Sequence, residues 1–194
     1  MKNIIAAIVI LTLLNACTTA TFTVQPYLPS IEATSALQSL GMSGIEIESV
    51  TSSVDIDNSC PSSARAISLP NKSSFEDYIR DALINEFTIA DIYDKKSPKV
   101  KLKIDITELE YFLSHSSLMS VWDIEFIIDS SNGTSLKVHE HFLFDAGAYN
   151  LWNCKKIAEA YMPAVQAIIT KLAKSPSLQT LFSPQASDME SISP

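Results

Sequence analysis

His139 and His141 flank Glu140 in the run Lys137-Val138-His139-Glu140-His141, and residues two apart on an extended strand point to the same side. Paired imidazoles can begin a zinc or copper site, which needs a third or fourth ligand. The chain has 3 histidines, and the last of them, His115, lies between Ser114 and Ser116 in a segment without clear periodicity. The expectation is a solvated strand face shared with Lys137, so His139 and His141 are weak metal candidates and no cofactor is expected. Glu108 and Glu110 are two apart, a spacing that could divide acid and base duties, but they read as surface charges. There is no Gly-x-Ser-x-Gly elbow, no His-Glu-x-x-His and no phosphate-cradling glycine loop. The chain is therefore expected not to be an enzyme.

Lys95, Lys96, Lys99, Lys101 and Lys103 hold more than a third of the 14 basic residues in one short stretch. Lys99, Lys101 and Lys103 share a strand face. Lysines on an exposed edge strand keep it from pairing with another chain, and that is the favoured reading. The alternative is contact with an anionic surface, where each basic residue contributes about 1 kcal/mol. The formal net charge is −8. Such a balance argues against nucleic acid, whose binding depends on neutralising phosphates.

The chain opens with Lys2, an apolar run from Ile4 to Leu14 broken only by Thr12, and small Ala16 before Cys17. That is the layout of a secretory signal, too short for a transmembrane helix of about 20 apolar residues. The ending Leu14-Asn15-Ala16-Cys17 resembles the bacterial lipoprotein box. The resemblance implies cleavage after residue 16, a diacylglyceryl thioether on Cys17 and acylation of the freed amine. Each buried methylene contributes about 0.8 kcal/mol, so two or three acyl chains make a durable anchor. Thr18 is not the Asp that retains such proteins in the inner membrane of enteric bacteria, so the resemblance favours the periplasmic face of the outer membrane. Cys60 and Cys154 remain, and export to an oxidising compartment makes a bridge between them the expected state.

The elements follow from periodicity. Residues 17–30 carry Pro26 and Pro29 and read as a lipidated N-terminus and flexible tether, with a reach of at most about 45 Å. Ser30 can cap a short helix ended by Gly41, and Ile45, Ile47 and Val50 suggest a first strand. A loop then holds Cys60, and Ile67 to Leu69 form a short extended piece. Ser73 and Glu76 make a capping box for an amphipathic helix buried through Phe75, Tyr78, Ile79, Ala82, Leu83, Phe87 and Ala90, with Glu86 on another face. Val100 to Ile106 alternate as a half-buried strand, and beyond Thr107 the apolar phase shifts, implying a bulge. Val121 to Ile128 and Thr134 to Phe144 form a hairpin about Asn132-Gly133. A last long helix carries Cys154, and Pro163 should kink or divide it. Leu178, Leu181 and Phe182 pack back, and residues 183–194 are expected to be disordered.

The order β-α-β-β-β-α predicts an α+β two-layer sandwich: a mainly antiparallel sheet of about four strands with two main helices on one face, in a single domain over 31–182. The Cys60-Pro61 loop, Ile92-Tyr93-Asp94, Trp122-Asp123-Ile124, the Ser-Ser-Asn-Gly hairpin and Pro163-Ala164-Val165-Gln166 together resemble a set of uncharacterised small proteobacterial lipoproteins. In topology the body is also similar to the outer-membrane lipoprotein that plugs the lipopolysaccharide translocon. The expectation is a non-enzymatic interaction or scaffold module of the cell envelope, with an envelope protein as partner and the membrane held through its lipid. The alternative is a lipid- or lipopolysaccharide-handling auxiliary, which would need an apolar cavity between sheet and helices.

Overall fold

The computed structural model describes residues 21–60, 65–112, 119–146 and 150–184, of which 150–153 by their backbone alone. Cys17, Pro61 and His115 lie outside the described residues, as do Thr18 to Ala20 of the expected tether and residues 185–194 of the expected tail.

The strands are β1 (Thr21–Thr23), β2 (Ile45–Ser52), β3 (Ala66–Ser68), β4 (Val100–Phe112), β5 (Met119–Ser130) and β6 (Ser135–Asp145). The helices are α1 (Ile31–Ser39), α2 (Phe75–Ile89), α3 (Asn150–Ala173) and α4 (Leu178–Phe182). The main sheet has the order β2-β4-β5-β6. β2 and β4 are parallel, because the helix α2 carries the chain back between them, and the two remaining pairs are antiparallel. This is the expected α+β sandwich with its helices on one face. β1 and β3 form a second, two-stranded parallel sheet.

Local chemistry explains most element boundaries. The Ser30 hydroxyl accepts from Ala33 N–H at 3.3 Å to cap α1. Helix α2 is capped one residue later than the sequence suggests: Ser74 accepts from Asp77 N–H at 3.1 Å, while the Ser73 hydroxyl donates to Pro70 O at 2.9 Å. The proline turn before the helix takes Ser73, leaving the cap to its neighbour. The register of β4 shifts between Ile106 and Glu108, the bulge that the apolar phase implied. Gly133 has φ 86° and Asn132 does not share a positive φ, so the β5–β6 turn needs a left-handed residue at one position only. Gly44 is required more strictly, since its φ is +85° and a Cβ there would stand 2.9 Å from Lys99 Cγ.

Inner-face residues Ile104, Ile106, Trp122, Ile124, Phe126 and Ile128 are buried against α2 and α3. Tyr161 stands at the centre of that layer, with ring centroids 5.0 Å from Trp122, 5.2 Å from Phe75 and 5.3 Å from Tyr78. Trp122 Nε1–H donates to Ile157 O at 3.0 Å, which satisfies a donor that burial would otherwise strand. Helix α3 runs undivided through Pro163. Buried neighbours on both sides of it, Tyr161, Ala164, Val165 and Ile168, hold the helix in place despite the missing donor. Leu178, Leu181 and Phe182 of α4 are buried, as expected. Asn132 Nδ2–H donates to the carbonyls of Thr180, Leu181 and Ser183 at 2.9, 3.2 and 2.7 Å, tying the hairpin to that helix.

Two further expectations are corrected. The Lys99–Lys103 strand is not an edge, because β4 lies between β2 and β5. The segment read as a flexible tether is folded from Thr21 onward: Val24 is buried, its N–H donates to Ser68 O at 2.8 Å, and Leu28 O accepts from Gln166 Nε2 at 2.6 Å. Prolines remove donors within the segment, but its remaining groups find partners on α2, α3 and β3, which composition alone does not reveal.

Candidate functional site

Helices cover one face of the sheet and leave the other open. On the open face the β4 bulge at Thr107, the middle of β5 and the middle of β6 bring Glu108, Asp123, Glu125, Lys137, His139 and His141 into one polar cluster. His141 Nδ1 is 2.6 Å from Asp123 Oδ1, and His139 Nε2 is 3.4 Å from the same oxygen and 3.8 Å from Glu108 Oε2. Asp123 is buried and oriented by both rings. The Lys137 ammonium at 2.8 Å and the Thr107 hydroxyl at 2.8 Å hold the Glu125 carboxyl below the usual carboxylate range. Both histidines thus share a face as their spacing implies, and both turn onto a carboxylate. Among the described residues, no group of three or more His, Cys, Asp or Glu is placed to hold a metal ion. Glu108 faces His139, while Glu110, two residues on, lies opposite Asp123 in the strand register.

The lysines lie at the other end of β4. Lys101 pairs with Glu46 at 3.6 Å and Lys103 with Glu48 at 3.9 Å, both across the parallel β2 neighbour. Lys99 packs over Gly44 and reaches Ser43 Oγ at 3.5 Å. The Lys103–Glu48 pair is solvent-exposed and contributes little to stability, while Glu46 of the Lys101 pair is largely buried under its partner.

A third cluster was missed by sequence reading. Glu86 on α2 has no solvent exposure. Tyr27 Oη–H donates to its Oε1 at 2.6 Å, Ser30 N–H to the same oxygen at 2.5 Å, and Thr34 Oγ1–H to its Oε2 at 2.7 Å. Burial, reinforced by Glu86, pushes the Tyr27 phenol far above its ordinary range. Tyr78 Oη–H adds a bond to Gln25 O at 2.9 Å. The signal was present in the spacing: Ile79, Leu83, Glu86 and Ala90 recur every three or four residues, which puts Glu86 on the buried stripe.

Cys60 and Cys154 are joined, with Cα atoms 5.5 Å apart. The bridge ties the loop before β3 to the start of α3, and Cys60 N–H donates to Arg65 O at 2.9 Å. The same end of the domain holds Thr21, which is paired with Ala66, and the last residues of β4, since Tyr111 Oη–H donates to Ser59 O. The Arg65 guanidinium lies 5.4 Å from the Phe22 ring centroid. Beside them a surface cleft of about 300 Å³ is lined by Asp55, Asp57, Glu108 and Glu110. Hydrogen bonds from the Ser59 hydroxyl and N–H hold the Asp57 carboxyl below its ordinary range. On the open face here the cross-strand row Phe112, Val121, Leu143 closes the sheet, with Met119 next to it. Phe112 is 50% exposed, Met119 42% and Leu143 55%.

No family model matches the chain, and no curated protein matches it. Among solved structures the fold aligns with the crystal structure of a Xanthomonas campestris protein assigned to the family DUF330, at 13% sequence identity and a TM-score of 0.49, over 90% of this chain and 99% of that one.

Proposed function

We propose that this chain is a lipid-anchored protein of the bacterial cell envelope, acylated on Cys17 at the periplasmic face of the outer membrane, that works without catalysis by contacting another envelope protein. The observation that carries the reading is the N-terminal sequence: one Lys, an apolar run too short to span a bilayer, and Leu14-Asn15-Ala16-Cys17. Two features of the body support it. The Cys60–Cys154 bridge suits an oxidising compartment. The open sheet face is uncovered by helices and presents Lys103, Lys137 and His141, each more than half exposed, to a neighbour. The lipid-handling alternative would need apolar room between sheet and helices, and that layer is filled by Trp122, Tyr161, Phe87 and Phe126, each under 2% exposed.

Radiolabelled palmitate should enter the wild-type protein and be lost in Cys17→Ser. Crosslinking in intact cells followed by mass spectrometry should then return one reproducible protein partner. Copurified lipid without a protein partner would favour lipid handling, and unlabelled Cys17 would remove the anchor.

A further inference from the structure

On the reading that Cys17 carries the acyl anchor, we propose that the end of the domain bearing Phe112, Val121, Leu143 and Met119 rests in the headgroup region of the same membrane. The argument begins with how little chain separates anchor from fold. Because the segment from Thr21 is docked, four residue steps connect it to Cys17, a reach of at most about 14 Å rather than about 45 Å.

The direction of exit is also fixed. Val24 bonds β3 near the Cys60–Cys154 bridge, Leu28 lies beside Gln166, and the Ser30 hydroxyl accepts from Thr170 Oγ1–H at 3.4 Å. The segment therefore runs alongside α3 in the same sense. Traced backwards, it leaves the domain at the start of α3.

That is also where β4 ends, β5 begins and β6 ends. Phe112, Met119 and Leu143 are three of the seven large exposed apolar side chains among the described residues, and they converge on this one corner. The row behind them is Glu110, Asp123 and His141, and Asp145 stands opposite Met119 at the outer tip, so the apolar side chains form a narrow band between polar rows, as a shallow seat among headgroups requires. Lys155 and Lys156 on the first turns of α3 are half exposed at the same end and share Glu159 at 3.5 and 3.4 Å, which leaves a net positive charge there. Lys101 and Lys103 are excluded from that contact, because β4 spans about 36 Å between Lys101 and Phe112.

The test uses the full acylated protein, with palmitate incorporation measured on the same preparation. It is reconstituted in phosphatidylethanolamine/phosphatidylglycerol vesicles with brominated acyl chains, which quench tryptophan by contact. On a Trp152→Phe background, which removes the tryptophan on the first turn of α3, Leu143→Trp should show severalfold more quenching than that background protein, together with a blue shift. Ile89→Trp, an exposed position at the opposite end of α2, should behave as the background protein does. Phe112→Trp, aromatic for aromatic, is an independent reporter should Leu143→Trp disturb the fold. A labelled protein with no added quenching at position 143 or 112, or with equal quenching at position 89, overturns the proposal, whether the corner is then bare or covered by a protein. Absence of palmitate overturns the anchor reading itself, and the orientation falls with it.

Discussion

Glu86 answers three donors that lie 52 to 59 residues upstream, and it does so with no access to water. A buried carboxylate is tolerated only when its oxygens are hydrogen-bonded, and here the three donors also gain partners they would otherwise lack. Glu86→Ala should lower stability by about 3 kcal/mol, measured by the urea midpoint, and Glu86→Gln by less because it keeps an acceptor. Limited proteolysis should cut residues 21–30 sooner in the Ala variant. Glu125 predicts a pH dependence. Its carboxyl is lowered by Lys137 and Thr107, so its contribution is present above the unfolded value and is lost as pH falls through the folded one. Glu125→Gln should therefore melt below the parent at pH 7, and the gap should close below about pH 4. A gap that persists at low pH would mean that the carboxylate charge is not what stabilises the site. Position in the periodic pattern placed His139, His141 and the inner-face residues correctly. It did not pair His141 with Asp123, because a strand pattern gives the face of a residue and not its cross-strand neighbour.

Elements with strong local chemistry were the most legible. The Asn132-Gly133 hairpin, the Thr107 bulge and the Ser30 cap all follow from turn chemistry or a phase change within a few residues. Errors occurred where tertiary contacts decide between local options, as when the proline turn diverted Ser73 and moved the α2 cap to Ser74. β4 looked like an edge because its outward residues are lysines, yet their partners Glu46 and Glu48 belong to β2, far away in sequence. The bridge between Cys60 and Cys154 joins two such distant pieces, 94 residues apart. Its removal enlarges the unfolded ensemble, so the Cys60→Ser/Cys154→Ser double variant should lose about 4 to 5 kcal/mol. Urea titrations of the parent with and without reductant provide the check, and coincident curves would show that the bridge does not stabilise the fold.

At the scale of the whole molecule, the α+β sandwich was readable because alternation and helical stripes set which faces are apolar, and those faces admit few layer arrangements. The domain boundary was not. Residues 21–30 have no periodicity, and they fold because β3, α2 and α3 offer them partners. That attachment has a mechanical consequence. A pull on the chain before Thr21 loads the parallel β1–β3 pair along its length. The bonds of that pair share the load in shear instead of opening one at a time. Behind them stand the Glu86 contacts, and beside the point of loading the Cys60–Cys154 link prevents β3 from peeling away from α3. The fold is therefore gripped at the place where traction would be applied.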